Sequence, residues 1–266
     1  MLAEERRLRI VELINQRRTG VVSVAELSDT FGVSSMTIRR DLDNLEEMAL
    51  LRRVHGGAAA SHAIATEKPY QERSEESSQE KQSIGWAAAQ LIGENDRVLL
   101  DAGTTTLQIA RNLEGKSGIT AVTNALPVAS ELAHYRQFST IVLGGMLKDR
   151  ELCTVGPSVT EQLARLSVDK LFLSAAGFSL ARGITDSDLM EVAVKQAMLK
   201  AAREVILVVD SSKWNVVNLV QICTLDAVHA VVTDDRIFPE AIEGIEAEGV
   251  RVITADRLSG NSVVVA

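Results

Sequence analysis

The sequence predicts an α/β chain of two domains. A winged helix–turn–helix spans residues 1–58, a linker 59–80, and a mostly parallel α/β domain 81–266. Three observations predict this. Residues 23–57 carry the start, stop and apolar stripe of two short helices, then a Gly-ended hairpin with basic residues. Residues 58–80 lose large apolar side chains and gain Ser and Glu. From residue 97 onward, short apolar runs alternate with helical patterns.

A helix over 4–18 opens the chain, with Leu8, Val11 and Ile14 on one side, Ile10 and Leu13 beside them, and Gly20 ending it. Val21 and Val22 suit a short strand pairing with the hairpin. Ser23 followed by Glu26 is a capping box, so a helix starts there. Gly32 stops that helix and Ser34 caps the next. Ile38, Leu42, Leu45 and Met48 make one buried stripe. Ser35, Thr37, Arg39 and Arg40 lie off the stripe, and hydroxyls and guanidiniums on an open helix face suit a DNA major groove. Ser34, at the helix start, is counted with them. Arg52, Arg53 and His55 sit in the Gly-ended turn, as in a wing meeting phosphates. Plain helical packing with solvated arginines would give the same helix pattern; the basic wing favours double-stranded DNA.

Composition sets limits. The chain has 266 residues and net charge −8, which argues against a generally basic nucleic-acid binder. Residues 1–60 are neutral, with nine basic and nine acidic residues, and every basic one is arginine. DNA affinity must then come from local placement and from more than one copy, a homo-oligomer such as a dimer or tetramer. Aromatics make up 3%, so the core is aliphatic. No apolar run approaches a membrane span and the amino terminus is too charged for a signal peptide, so a cytoplasmic protein without membrane contact is expected. Cys153, Cys223 and the four histidines are scattered, so no metal or cofactor is expected.

In the second domain apolar runs fall at 97–100, 119–123, 140–143, 170–175, 205–209, 227–232 and 250–254. Helical patterns fall at 81–92, 104–113, 126–134, 157–166, 187–203 and 239–247. Such sheets bind ligands at the carboxyl ends of their strands. There the polar residues collect. The first run is followed by Asp101-Ala102-Gly103-Thr104-Thr105-Thr106, where a glycine and hydroxyls open a helix. Free N–H groups and the helix dipole make a phosphate cradle. The loop has neither the P-loop nor the GxGxxG pattern. An ordinary helix capped by Thr104 is the other reading. Asn124 ends the second run, and Gly144-Gly145 the third. Gly183 precedes a helix carrying Glu191 and Lys195 on one face. Lys213, after Asp210-Ser211-Ser212, is placed to neutralise phosphate.

Taken together, VAELSDTFGVSSMTIRRDLDNLE, RRVHGGA, LLDAGTTT, VTNALPVA, VLGGML, DKLFLSAAGF, GIT…EVAVKQAM and VVDSSKW resemble the DeoR family of bacterial transcription regulators, over roughly residues 4–256. The resemblance implies a winged helix–turn–helix joined to a sensor domain similar to ribose-5-phosphate isomerase and glucosamine-6-phosphate deaminase. It implies repression of carbohydrate-utilisation genes, relieved by a phosphorylated metabolite. The phosphate loop would be Asp101, Gly103, Thr104, Thr105 and Thr106, with Asn124, Gly144, Gly145, Glu191, Lys195 and Lys213 lining the rest. Two departures stand out. Asp186-Ser187-Asp188-Leu189 places two acids where many members have Asn, and Trp214 replaces the usual phenylalanine. The acids could alter how a sugar is read or repel a phosphate placed close by.

The expected function is a DNA-binding repressor controlled by a sugar phosphate. The alternative is a sugar-phosphate isomerase or deaminase with an accessory N-terminal domain. Asp101 and Glu191 are its formal acid/base candidates, but no dense cluster such as an Asp–His pair accompanies them. A phosphate-binding interaction module without DNA contact would leave the arginine wing without a role.

Overall fold

The computed structural model describes residues 3–16, 21–48, 50–54, 56–60, 69–256 and 263–265. The expected end of the first helix at 17–18, with Gly20, and the wing residue His55 lie outside the described residues.

The N-terminal elements are α1 (Ala3–Gln16), β1 (Val21–Ser23), α2 (Val24–Phe31), α3 (Ser35–Glu47), β2 (Leu51–Val54) and β3 (Gly57–Ala60). Ser23 Oγ accepts the Glu26 N–H at 3.2 Å and starts α2. Gly32 ends it in the left-handed region, φ 63, where glycine carries no Cβ penalty. Ser34 Oγ accepts the Thr37 N–H at 3.2 Å and starts α3. The strands form an antiparallel sheet in the order β1-β3-β2, so Val21 and Val22 do pair with the hairpin.

Ile10, Ile14, Val22, Leu27, Ile38, Leu42, Leu45 and Leu51 fill the core beneath. Two expected core positions are not in it. Leu8 is 59% exposed, because the buried face of α1 runs through Ile10 and Ile14. Met48 is 41% exposed, because α3 stops at Glu47 and Met48 only caps it; Leu51 of β2 fills the core instead.

The second domain is built from α4 (Tyr70–Glu75), α5 (Ser78–Gln90), β4 (Arg97–Leu100), α6 (Thr104–Arg111), β5 (Thr120–Thr123), α7 (Leu126–Leu132) and β6 (Ser139–Val142). Then come β7 (Met146–Lys148), β8 (Cys153–Val155), α8 (Pro157–Leu163), β9 (Val168–Leu173), β10 (Gly177–Ser179) and β11 (Gly183–Asp186). The chain continues through α9 (Leu189–Ala201), β12 (Ala202–Val208), β13 (Val220–Cys223), β14 (Ala230–Asp234), α10 (Pro239–Ala247), β15 (Arg251–Ala255) and β16 (Val263–Val265).

The main sheet has eight strands in the order β16-β15-β14-β12-β9-β4-β5-β6. All its pairings are parallel except that of β16. From β4 the chain steps outward to β5 and β6; from β9 it steps the other way to β12, β14 and β15. The topological switch therefore lies between β4 and β9, where such sheets open a crevice at their carboxyl ends.

Alternate strand residues feed two cores, as the two-residue period requires. Leu99, Leu171, Leu173 and Leu207 pack with α8, α9 and α10 residues. Leu100, Phe172, Ile206 and Val208 pack on the other face with Ile84 of α5 and Ile109 of α6.

Three features depart from the sequence pattern. Residues 69–80, inside the stretch expected as linker, form α4 and the start of α5, and Tyr70 is buried. β10, β11 and β13 form a separate antiparallel sheet, and β7 and β8 a hairpin. These strands have three or four residues each, too short for a periodic signal. The helix expected over 187–203 begins later, because Asp188 caps it by accepting the Met190 and Glu191 N–H groups at 2.9 and 3.0 Å.

Asp41 of α3 is buried, and its carboxylate accepts Arg6 Nε at 2.7 Å and Arg7 Nε at 3.2 Å. This clamp holds α1 across the back of α3. Removing one member of a buried ion pair costs about 3–5 kcal/mol. Asp41→Ala should therefore destabilise the N-terminal domain by about 3 kcal/mol. Amide exchange in α1 and α3 measures this, and unchanged protection would exclude the clamp.

Candidate functional site

The open face of α3 presents Ser34, Ser35, Arg39 and Arg40, all exposed, with Thr37 half-buried. Ser34 is partly occupied by its capping role, and its hydroxyl is 2.9 Å from Thr37 Oγ1. Met36, 68% exposed, stands among them and was not among the expected residues. Its signal in the sequence is its place off the Ile38–Leu42–Leu45 stripe. An exposed thioether beside hydroxyls offers apolar contact, the kind a thymine methyl accepts.

The wing is closer to α3 than the sequence suggests. Arg53 N–H donates to Glu46 Oε1 at 2.6 Å, and its guanidinium donates to Arg39 O at 3.3 Å and pairs with Asp43 at 3.2 Å. Arg53 therefore fastens the hairpin to the end of the reading helix. Arg52 lies on β2; its side chain is outside the described residues.

The second site lies at the switch point. Asp101 follows β4, Ser174 follows β9 and Lys195 reaches in from α9. Lys195 Nζ donates to Asp101 Oδ2 at 2.5 Å and to Ser174 O and Oγ at 3.1 Å each, with Asp186 Oδ2 at 3.5 Å. Asp101 also accepts Ser174 N–H at 3.0 Å, Ser174 Oγ at 2.9 Å and Ala102 N–H at 2.8 Å. All three charged groups are buried. Burial alone would lower the lysine pKa, but Asp101, Asp186 and Glu191 outweigh it and hold it above the ordinary value. Lys195 stays charged and saturated.

Beside this core runs a cleft lined by Gly103, Thr104, Thr105, Glu191, Lys195 and Lys213, among others. No side chain caps α6, so its first N–H groups open here with the Thr104 and Thr105 hydroxyls. The reading of Thr104 as a cap does not hold; Gly103 takes the cap position. A Cβ on Gly103 would stand 3.0 Å from Ser174 Cβ, so glycine lets β4 and β9 loops close together. Lys213 ends a 3-10 turn, Ser211–Lys213. Asp234 fixes that turn by accepting Ser211 N–H at 2.6 Å, and Asp210 by accepting Ser212 N–H at 3.2 Å.

Residues 6–63 match the DeoR-like helix-turn-helix domain, and residues 76–235 the DeoR C terminal sensor domain. The chain is a member of the DeoR family of transcriptional regulators. It is 36% identical over 252 residues to the HTH-type regulator YulB of Bacillus subtilis, covering 95% of this chain and 96% of YulB. It is 34% identical to the transcriptional repressor AccR of Agrobacterium fabrum, covering 87% and 89%. Ribose 5-phosphate isomerase A of Neisseria gonorrhoeae superposes at TM-score 0.38 and 16% identity, over 51% of this chain and 53% of that one.

This DeoR-family chain is a regulator and not an enzyme, as its homologues are. Of the two formal acid/base candidates, Asp101 accepts Lys195 Nζ and Glu191 accepts Lys148 Nζ at 2.6 Å. The departures at Asp186 and Asp188 are also resolved. Asp186 lies by Lys195, and Asp188 pairs with Lys148 at 2.9 Å, so neither carries a free charge into the cleft. Burial lowers the Lys148 pKa, and Glu191 and Asp188 more than restore it.

The remaining expected residues do not face the cleft. Thr106 is turned inward, donating to Asp101 O at 2.8 Å and Gly103 O at 2.9 Å. Asn124 is buried, its Nδ2 donating to Thr154 O at 2.8 Å. Gly144 bonds to Gln162 through both backbone groups, and a Cβ on Gly145 would meet Val155 O at 2.7 Å. These residues shape the loops around the third strand. Lys81, Arg73 and Ser174 line the cleft but were not singled out, because their role depends on contacts with distant segments.

Lys195→Met should leave Asp101 and Asp186 buried without their cation and destabilise the sensor domain by about 3–5 kcal/mol. Urea unfolding of the full chain tests this. A loss below about 1 kcal/mol, the level of a surface pair, would show the cluster to be solvated.

Proposed function

We propose that the chain is a cytoplasmic repressor of carbohydrate-utilisation genes that binds operator DNA as a homo-oligomer, its affinity set by a phosphorylated sugar. The observation that carries the effector reading is the uncapped N-terminus of α6. Its N–H groups, Thr104, Thr105 and Lys213 face one cleft at the switch point, a donor set suited to a phosphate dianion. AccR, a relative, is a transcriptional repressor, which supports the sign of the regulation. Among the described residues no helix is long and apolar enough to cross a membrane. A palindromic operator needs at least two reading heads.

A phosphorylated sugar at a hundred times its dissociation constant should stabilise the sensor domain by about 2.7 kcal/mol. It should also shift operator affinity, whereas its dephosphorylated form should do neither. Thr104→Val or Lys213→Ala should blunt the response and leave effector-free DNA binding intact. Calorimetry and thermal unfolding on the full chain decide it; equal binding of the unphosphorylated sugar would sink the phosphate reading.

At the reading head, Arg39→Ala or Arg40→Ala should weaken operator binding by roughly 1–3 kcal/mol with the fold retained. The check is a titration of the upstream region of the gene at matched salt. Wild-type affinity in both variants would remove α3 from the interface.

A further inference from the structure

α4 and the first turn of α5 roof the cleft, with Arg73, Glu76, Ser77 and Lys81 in its lining. The roof is fastened at both ends. At its start, Tyr70 N–H donates to Arg150 O at 2.9 Å and Arg73 pairs with Glu151, which ties α4 to the β7–β8 loop. At its far end, Lys81 is buried, and its ammonium donates to Glu76 O at 2.6 Å and to Arg73 O. Between these fastenings Ser77 adopts φ 47, ψ 38, a left-handed conformation that a serine keeps only where its surroundings enforce it.

With the roof in place the cavity beneath it is about 50 Å³. Sites for small molecules usually offer about 300 Å³ or more. A sugar phosphate therefore needs the roof to move. Lys81 holds the far end of the roof and lines the same cleft as the anion loop.

We propose that Lys81 is a second cationic contact for the phosphorylated effector, in the same cleft as Lys213. Taking up the phosphate draws its ammonium off the carbonyls of Arg73 and Glu76, which frees the end of α4. The proposal rests on the phosphate-site reading above. The trade is favourable on two counts. A bond from ammonium to phosphate is charged on both sides and stronger than one to a neutral carbonyl. Burial also pulls the Lys81 pKa below its ordinary value; Asp210 opposes this, and Lys213 and Arg73 add to it. An arriving dianion relieves that repulsion.

Hydrogen–deuterium exchange on the full chain tests the relay, with inorganic phosphate and a panel of aldose and ketose phosphates as probes. In the wild type, phosphate should protect residues 101–106 and speed exchange at 72–77 by about tenfold, a local opening. In Lys81→Met, residues 101–106 should still be protected, at higher phosphate, while 72–77 stay unchanged. Protection at 101–106 with no change at 72–77 in the wild type overturns the relay and leaves the phosphate site standing. Protection at neither segment overturns both. If Lys81→Met does not fold, Lys81→Gln takes its place; acceleration at 72–77 that persists in the variant overturns the role of Lys81.

Discussion

The buried contact between Lys195 and Asp101 is what the sensor domain depends on. It joins α9 to the end of β4, and through Ser174 to the end of β9, across the point where the sheet changes direction. A lone charge at that depth would cost far more than a domain can tolerate. The cluster is stable because each partner is satisfied: two acids and two serine oxygens surround the ammonium, and N–H groups complete the carboxylate. Its consequence reaches the surface. Asp101, Asp186, Glu191 and Asp188 are all paired with lysines, which offsets their charge beside the cleft where the α6 N-terminus and Lys213 lie.

A comparable economy of charge operates in the reading head. Residues 1–60 carry no net charge, which by itself would give DNA little attraction. Position resolves this. Asp41 turns inward to Arg6 and Arg7, and Glu46 and Asp43 hold Arg53. Arg39 and Arg40 remain exposed on the outer face of α3. The paired acids fix the helix and its hairpin; the outward arginines are exposed to a polyanion.

Much of this was legible in sequence. Caps at Ser23, Gly32 and Ser34, the stripe at Ile38, Leu42 and Leu45, and the alternation of apolar runs are local signals, and the structure has each of them. Local signals also misled where an element ended early. The period of α3 extends to Met48, but the helix does not, and a stripe residue beyond the last turn faces solvent. The short strands of the antiparallel sheet gave no signal, since each has only three or four residues and β11 finds β13 far along the chain.

Sequence by itself determined the two-domain plan, the reading helix and the threonine loop, because helix caps, side-chain periods and strand-end chemistry act within a few residues. Tertiary structure alone decided which of the loop's neighbours reach the cleft. It turned Thr106 inward, set Asn124 and the Gly144-Gly145 turn aside, tied Lys195 of the cleft lining to Asp101 as an internal counter-charge, and brought Lys81 and Arg73 over the site. Those outcomes follow from which chain segments meet at the β4–β9 switch, and burial and charge pairing across such distances leave no trace in local sequence.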